Sequence, residues 1–222
     1  MKQLTITLPE LPYAVEEAMN RLRINVKFCG KNTKKILLTS CMPNEGKSTV
    51  SSYLWKMLAE AGFSTVMVDV DLRKSVQMQR MQVENASETK GLNHYLSGMA
   101  EYEDVVYKTN IENAYIVPCT QLLENPSPLL EDARFRELLD RLAGEYRFVI
   151  VDTPPLGSVS DGALIASMCD GAILVVRAGQ TPKAMNRAEV STRGYGKYGK
   201  YGNYGYGYGY EPDTKHKKHS EK

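Results

Sequence analysis

The feature that most restricts the fold is residues 40–49, which lie between an apolar run and a segment of helical spacing. Residues 36–38 precede it as a short strand, and residues 50–60 follow it as a helix. The order strand, turn, Gly-Lys-Ser and helix is that of a phosphate-binding loop, in which backbone N–H groups face an anion. Lys47 would contact the β- and γ-phosphates of a nucleotide, and the Ser48 hydroxyl would bind Mg²⁺. The predicted nucleotide-binding residues here are Pro43, Asn44, Glu45, Gly46, Lys47, Ser48 and Thr49.

One position of this loop departs from the usual motif. The glycine expected five positions before Gly46 is replaced by Cys41. Pro43 and Asn44 occupy turn positions, and Asn is among the few residues besides glycine that adopt the left-handed backbone conformation. A Gly-Lys-Ser sequence can arise by chance in a turn, but the flanking strand and helix favour nucleotide binding.

The composition is that of a globular protein and gives no reason to expect nucleic acid as a partner. The chain has 222 residues, 42% hydrophobic and 24% charged, enough for one sizeable α/β domain. No apolar run approaches the roughly 20 residues that span a bilayer, and the N-terminus lacks the apolar core of a signal peptide. The 4 cysteines show no metal-ligand spacing, which favours reduced thiols in the cytoplasm. A net charge of +2 is too small to indicate nucleic-acid binding.

Apolar runs of strand length alternate with helical segments along the chain, as in right-handed βαβ units. We therefore predict an α/β fold of the P-loop NTPase type, with a mostly parallel sheet flanked by helices. An extended arm, residues 1–13, would precede the domain. The predicted strands are residues 36–39, 64–73, 114–118, 146–152 and 171–177, and the predicted helices are residues 14–28, 50–60, 129–143 and 161–168. Residues 74–110 are expected to be mostly helical, and residues 124–128 to form a loop.

Three aspartates come at the ends of predicted strands, where open parallel sheets bind their ligands. Asp69 and Asp71 end one strand and Asp152 ends another. Mg²⁺ would offset the repulsion between these acids and a triphosphate, so Ser48, Asp71 and Asp152 are the predicted metal ligands. Either Asp69 or Asp71 would take the proton of a phosphate acceptor, and the sequence does not divide these roles. Arg73 would either neutralise phosphate or pair with a carboxylate.

The end of the chain, residues 194–222, differs from the rest. Glycine and tyrosine alternate up to Tyr210, and such glycine density opposes a packed structure, so we predict a disordered tail. It carries six lysines and three acids, a net +3. A Gly-Tyr repeat can be an adhesive segment, but beside an ATP site its phenols are suited to accept phosphate. The predicted acceptors are Tyr195, Tyr198, Tyr201, Tyr204, Tyr206, Tyr208 and Tyr210.

Taken together, these motifs resemble the bacterial tyrosine kinases of capsule and exopolysaccharide synthesis, in the form where the kinase is a separate cytoplasmic protein. The resemblance covers most of residues 14–183, and the tail. Residues 43–49 are similar to the family's Walker A motif, residues 68–73 to its Walker A′ motif and residues 151–155 to its Walker B motif. Residues 91–98 and 125–130 are similar to further family segments.

The resemblance implies that ATP and Mg²⁺ are used to phosphorylate tail tyrosines between neighbouring subunits, with Lys47, Asp69 and Asp71 as catalytic residues and Arg73 at the nucleotide. It implies a transmembrane activator of the chain-length-regulator type, a cognate tyrosine phosphatase and a peripheral location at the inner face of the membrane. It also implies homo-oligomeric rings, formed through a helix with the pattern Glu-x-x-Arg-x-x-Arg. Glu17 and Arg23 match this pattern, whereas Asn20 replaces its middle arginine.

The C-terminal edge departs from the family. Members usually continue after residues 177–182 with a helix and a strand, but only residues 183–193 precede the Gly-Tyr run here. We therefore predict a kinase domain, residues 14–193, that is shortened at this edge, either as a trimmed sheet or as a site with weakened ATP binding. Two other functions remain open, a partition-type P-loop ATPase and a catalytically weak scaffold of the polysaccharide machinery.

Overall fold

The computed structural model describes residues 2–84, 88–156, 161–179 and 181. Its strands are β1 (Gln3–Leu4), β2 (Lys35–Ser40), β3 (Thr65–Asp69), β4 (Tyr107–Thr109), β5 (Ala114–Val117), β6 (Phe148–Asp152) and β7 (Gly171–Val175). Its helices are α1 (Tyr13–Phe28), α2 (Lys47–Glu60), α3 (Gln77–Arg80), α4 (Leu92–Leu96), α5 (Tyr102–Val105), α6 (Ser127–Glu131), α7 (Ala133–Glu145) and α8 (Asp161–Ala166). The predicted tail and residues 182–193 lie outside the described residues.

The strands form one seven-stranded sheet in the order β1-β4-β5-β3-β6-β2-β7. Neighbouring strands are parallel except for β4 and β5, which are antiparallel. This confirms the predicted α/β class, in which helices cover a mostly parallel sheet. Among the described residues, no helix is both long and apolar enough to cross a membrane.

Two apolar layers cover the two faces of the sheet. Successive residues of a strand point to opposite faces, and β2 shows this directly. Leu37 packs in the layer that includes Leu138 and Leu142 of α7, whereas Leu38 packs with Trp55 and Leu58 of α2 on the other face. Burial on both faces explains why the central strands are continuous apolar runs, and it leaves their carboxyl ends as the place for polar chemistry.

The predicted helix at residues 129–143 is in fact two helices. The backbone of Asp132 is extended, with ψ 147°, so α6 ends there and α7 begins. The Asp132 carboxylate accepts a hydrogen bond from the N–H of Arg134 at 2.8 Å and thereby caps α7. The loop predicted at residues 124–128 is likewise shorter, because α6 begins at Ser127.

Two further predictions about strands need correction. The strand predicted at residues 64–73 ends at Asp69, so Asp71 and Arg73 lie in the loop that follows it. The segment predicted as mostly helical contains the strand β4, which pairs with β5 and with the N-terminal residues. Residues 3 and 4 are extended as predicted, and they form the edge strand β1 of the sheet, with Leu4 and Ile6 buried.

Candidate active site

Three loops meet at the carboxyl ends of the central strands. Asp69 at the end of β3 and Leu38 in β2 both align with Asp152 at the end of β6. The loops that follow these three strands therefore surround one cavity of about 450 Å³. It is lined by residues of the phosphate loop (residues 43–48), by Pro154 and Pro155, and by the cationic side chains of Arg73, Lys74 and Arg80.

The phosphate loop has the backbone geometry that its sequence predicts. Asn44 has φ 66° and Gly46 has φ 96°, so both adopt the left-handed conformation. Cys41 is buried and does not have positive φ, which explains why glycine is dispensable at that position. Thr49 is not among the residues that line the cavity, and its hydroxyl accepts a hydrogen bond at 2.5 Å from Arg80, which does line it.

Lys47 lies at the base of the cavity and is almost fully buried. Its Nζ is 3.0 Å from Asp152 Oδ1 and 3.1 Å from Ser48 Oγ. Asp152 is fully buried beneath it and does not line the cavity. The hydroxyl of Ser51 and the side-chain amide of Gln77 donate to the same carboxylate, each at 2.6 Å. Lys47 is thus held by a buried carboxylate while it lines the cavity.

Asp69 and Asp71 occupy different environments. Asp69 is fully buried, and it accepts hydrogen bonds from the Ser75 hydroxyl and, at 3.3 Å, from the N–H of Asp71. Burial, together with the neighbouring charge of Asp152, raises the pKa of Asp69 to about 8. Asp71 lines the cavity. Burial raises its pKa as well, although Lys47 opposes this shift. Of these two acids, only Asp71 faces the cavity.

Arg73 pairs with a carboxylate, which is one of the two alternatives that the sequence left open. Its guanidinium lies 3.4 Å from Asp161 Oδ2 and donates to the carbonyl of Glu124 at 2.7 Å and to the Ser127 hydroxyl at 3.1 Å. Ser127 in turn donates to Asp161 at 2.6 Å. Because Arg73 also lines the cavity, this cluster connects the cavity wall to α6 and α8.

Sequence reasoning missed several residues of this site. Gln77 and Ser75 bond the buried carboxylates, Asp161 bonds Arg73, and Lys74 and Arg80 line the cavity. Each is a polar residue in a segment without a motif, so no sequence signal distinguished it. The one signal available was the pair of basic residues Lys74 and Arg80, which could have suggested a positively charged wall near α3.

The remaining predicted residues lie elsewhere. Glu17 is exposed on α1, and Arg23 on the same helix lines a small hollow formed with α2. They are thus on the surface of the chain, at a distance from the nucleotide cavity, and the seven tail tyrosines are outside the described residues.

The donors present fit a magnesium ion that is bound together with a nucleotide. Among the described residues, no group of three or more His, Cys, Asp or Glu side chains could hold a metal ion by itself. Mg²⁺ at phosphates needs no such cage, because it uses one or two protein oxygens, phosphate oxygens and water. The hydroxyl of Ser48 lines the cavity and the carboxylate of Asp152 lies beneath Lys47, and both are hard oxygen donors. Asp71, the third predicted metal ligand, also lines the cavity.

Comparison with known proteins agrees with this geometry. Residues 30–182 match the AAA domain family. The chain is 41% identical to the tyrosine-protein kinase CpsD of Streptococcus agalactiae over 165 residues, which are 74% of this chain and 71% of that protein. It is 30% identical to the tyrosine-protein kinase YwqD of Bacillus subtilis over 185 residues, which are 82% of this chain and 77% of that protein.

Solved structures give the same result. The kinase domain of VpsO superposes with a TM-score of 0.74 at 31% identity, covering 80% of this chain and 86% of that one. The chimerical protein CapA2B2 gives a TM-score of 0.73 at 31% identity, covering 82% and 78%. The septum site-determining protein MinD of Pyrococcus horikoshii, solved with Mg-ADP, gives 0.54 at 29% identity, covering 64% and 57%. The similarity is thus closer and more extensive to kinase domains than to MinD.

Proposed function

This chain belongs to the AAA domain family and, within it, to the bacterial tyrosine-protein kinases, and on that premise we propose that it uses ATP to phosphorylate tyrosines of its own C-terminal tail and so regulates capsular or exopolysaccharide synthesis and export. The observation that carries this proposal is that Lys47 and Asp71 line one cavity beyond three adjacent strands, while Asp152 pairs with Lys47 beneath it. Phosphoryl transfer requires little more than such positioning together with charge stabilisation.

The buried ion pair with Asp152 holds the Lys47 ammonium at the cavity, where it can bind phosphate. Its ammonium pairs with Asp152, and with a nucleotide bound it would exchange that carboxylate for the β- and γ-phosphates. Ser48 and the Asp152 carboxylate released by this exchange would then hold Mg²⁺, which offsets the charge of the phosphates. Arg80 and Lys74 also line the cavity and add positive charge to it.

Asp71 is the better candidate for the base that takes the proton of the acceptor. A base must first be within reach of the substrate, and Asp71 lines the cavity whereas Asp69 lies beneath it. The phenol proton passes to the carboxylate of Asp71, the phenol oxygen forms a bond to the γ-phosphorus, and ADP leaves. Asp69 would support this step by accepting the N–H of Asp71, as it does in the structure.

The phosphate acceptors would be the seven tail tyrosines, and a neighbouring chain would transfer the phosphate to them. Tyrosines of the folded domain are poor acceptors where their hydroxyls are already engaged. Tyr53 donates to the carbonyl of Pro9 at 2.5 Å, Tyr102 donates to Glu145 at 2.6 Å, and Tyr107 accepts from the N–H of Lys90 at 3.0 Å. Each tail phosphate would add about −1.5 to −2 charges, so a few of them reverse the net charge of the tail.

The family resemblance supports the remaining parts of the proposal. A transmembrane activator would hold the kinase at the inner face of the membrane, and a tyrosine phosphatase would reverse the reaction. Rings of the chain would form through α1, with Glu17 and Arg23 in the contact. Such a ring would bring the tail of one chain to the cavity of the next, which is what transfer between chains requires.

The decisive experiment is a phosphorylation assay with two variants. The purified chain, the cytoplasmic segment of its membrane partner, ATP and Mg²⁺ are incubated, and phosphotyrosine is located by mass spectrometry. We expect phosphate on the tail, and none with Lys47→Met or with a chain that ends at Arg193. A Lys47→Met chain with an intact tail should be phosphorylated by an active chain without a tail, and failure of that reaction would contradict transfer between chains.

The similarity to MinD favours one alternative, a partition-type ATPase, over others. ATP hydrolysis without phosphotyrosine in the same assay would support that function. Absence of nucleotide binding would instead support a scaffold that acts on the polysaccharide machinery without catalysis.

A further inference from the structure

A glutamine outside the sequence motifs forms part of the base of the site. Gln77, the first residue of α3, is 1% exposed. Its Nε2 donates to Asp152 Oδ2 at 2.6 Å and to the carbonyl of Ser48 at 3.2 Å, and its Oε1 accepts from the Ser52 hydroxyl at 2.9 Å. The amide is therefore satisfied on both sides, and it joins α3 to the first turns of α2 and to the end of β6.

These bonds give the two oxygens of the Asp152 carboxylate different partners. Oδ2 accepts from Gln77, whereas Oδ1 accepts from Ser51 at 2.6 Å and from Lys47 at 3.0 Å. Rotation of the carboxylate would break all three bonds, so its orientation is fixed. Oδ1 is consequently the oxygen directed at the phosphate loop.

We propose that Gln77 is a positioning residue that directs Asp152 Oδ1 at the phosphate loop and thereby determines how strongly Mg²⁺ reinforces nucleotide binding. This inference rests on the proposed role of Asp152 in holding the metal. Groups that orient a metal-holding carboxylate typically affect metal affinity by about 10- to 100-fold, although they do not touch the ion. Gln77 has the contacts of such a group, since it is buried and bonds Asp152 Oδ2, the oxygen that Lys47 does not contact.

The simpler role for Gln77 is to anchor α3, a helix of four residues, by filling space. The two roles differ in what they predict for the metal. An anchor affects the stability of the chain and nucleotide binding with or without Mg²⁺, whereas a positioning residue affects mainly the gain that Mg²⁺ provides. Gln79 is exposed on the same helix, so Gln79→Met is a matched control that removes an amide without touching Asp152.

The test measures the dissociation constant of a fluorescent ADP analogue for the full chain, with MgCl2 and with EDTA. The quantity of interest is the dissociation constant in EDTA divided by that in MgCl2, which is the gain in affinity that Mg²⁺ provides. Gln77→Met keeps the length of the side chain and removes both donors, so we expect the ratio to fall by about tenfold while the constant in EDTA stays within about twofold. Gln79→Met should leave the ratio unchanged.

A double substitution tests whether Gln77 acts through Asp152. Asp152→Asn by itself should lower the ratio, and adding Gln77→Met should lower it no further, because the two residues act as one unit. If Gln77→Met does not fold, Ser52→Ala provides a milder variant, since it removes the partner of Gln77 Oε1, together with a hydrogen bond to the Ser48 carbonyl, and leaves the bond from Gln77 to Asp152 in place. It should lower the ratio by about two- to threefold. Folding is monitored by the melting temperature without nucleotide.

Equal weakening of binding in MgCl2 and in EDTA, or an additive effect in the double variant, would overturn the inference in favour of an anchor. The assay contains no acceptor, so its outcome is separable from kinase activity. If the original chain transfers no phosphate, but the ratio still falls in Gln77→Met, only the proposed function is contradicted. An unchanged ratio in a chain that does phosphorylate its tail would contradict the role of Gln77 alone.

Discussion

The centre of the sheet and its β7 edge contribute to the same cavity in different ways. In β3 and β6 every residue is buried, and the Asp152 carboxylate at the end of β6 has three hydrogen-bonding side chains around it. In β7 every residue is half-buried or exposed. The described residues beyond this strand reach the phosphate loop through Glu45, which bonds the Thr181 hydroxyl and lies 3.5 Å from the N–H of Arg177.

This difference indicates where the chain can tolerate change. Buried polar groups that satisfy one another are costly to disturb, because each loss leaves a partner unpaired in a medium of low dielectric constant. Partly exposed groups exchange a lost partner for water at little cost. We therefore expect substitutions to rank by their distance from the centre, and each prediction below tests that ranking.

Lys47→Met should have the largest effect. It removes the cation at the phosphates and leaves the buried Asp152 without its counter-ion. We expect tyrosine phosphorylation to fall by at least about 500-fold, or roughly 4 kcal/mol, with ADP binding weakened in parallel. Lys56→Met is the control, since Lys56 forms only a surface ion pair with Glu60 at 3.7 Å. A Lys47→Met chain that retains a tenth of the activity would refute the central role of this ion pair.

Asp69→Asn should change how stability depends on pH. Because burial raises the pKa of Asp69 from 3.8 to about 8, the folded chain favours its protonated form, and this carboxyl destabilises the fold increasingly as the pH rises from about 4 to about 8. Asparagine has no charge to bury, so the variant should gain stability relative to the original chain over that range. Between pH 5 and pH 8 the relative gain in the free energy of unfolding should be on the order of 3 kcal/mol.

Urea unfolding of the nucleotide-free chain at several pH values measures this gain. Asp104→Asn is the control, because the Lys2 side chain holds the pKa of that exposed carboxyl below its usual value, and its titration is complete below pH 5. Its effect should therefore be the same at pH 5 and pH 8. A pH-independent difference for Asp69→Asn as well would mean that Asp69 is ionised in the folded chain.

Asp161→Asn tests the region between the centre and the edge. The variant keeps an acceptor for Ser127 and removes the ion pair with Arg73, which is partly exposed. We expect a loss of about 1 to 2 kcal/mol in stability and a fall of about tenfold in phosphorylation. Binding of ADP should change by less than about threefold, because the phosphate loop is untouched.

The matched control for this variant is Asp140→Asn, which removes a surface ion pair with Lys35 at the beginning of β2, the end of the strand opposite to the cavity. Its effect on stability should stay below about 1 kcal/mol. If Asp161→Asn weakened ADP binding as much as it slowed phosphorylation, Arg73 would act on the nucleotide rather than on the wall of the cavity.

The sequence predicted the fold well where the information is local. Continuous apolar runs identified β2, β3, β5, β6 and β7. In the central strands β3 and β6 the run reflects burial on both faces, which needs no alternation. The strand β4 was missed because it has only three residues and because one of its two partners is distant in the sequence, Gln3 aligning with Lys108. The break between α6 and α7 was missed as well, since the apolar spacing of the two helices continues across Asp132 and only its cap separates them.

The site was likewise predictable where its residues carry a local sequence signal, and not where they depend on contacts between distant segments. The residues of the phosphate loop are consecutive, and Asp69, Asp71 and Asp152 end apolar runs, so each carries a signal in its neighbours. Gln77 bonds a residue 75 positions away, and Arg73 bonds one 88 positions away. Such pairs depend on how the helices pack against the strand ends. The sequence also left Asp69 and Asp71 equivalent, because burial that distinguishes them arises only in the folded chain.

Glu45 is where the smallest effect is expected. Its carboxylate accepts the N–H of Met42 at 2.8 Å and the Thr181 hydroxyl, so it tethers the front of the phosphate loop to the residues after β7. Glu45→Ala removes both bonds, but it also removes a negative charge from a cavity that binds phosphates, and these effects oppose each other. We expect ADP affinity to fall by no more than about threefold, or roughly 0.6 kcal/mol.

Glu45→Gln separates the two effects, because the amide keeps an acceptor for the tether and lacks the charge. ADP affinity in this variant should equal that of the original chain or exceed it by about twofold, and raising the salt concentration should reduce any gain, since the charge is partly exposed to water. Titration of the fluorescent ADP analogue in EDTA, at low and high salt, measures both. If Glu45→Ala instead weakened binding a hundredfold, the β7 edge would hold the phosphate loop as firmly as the buried centre does. The ranking of the two regions would then be wrong.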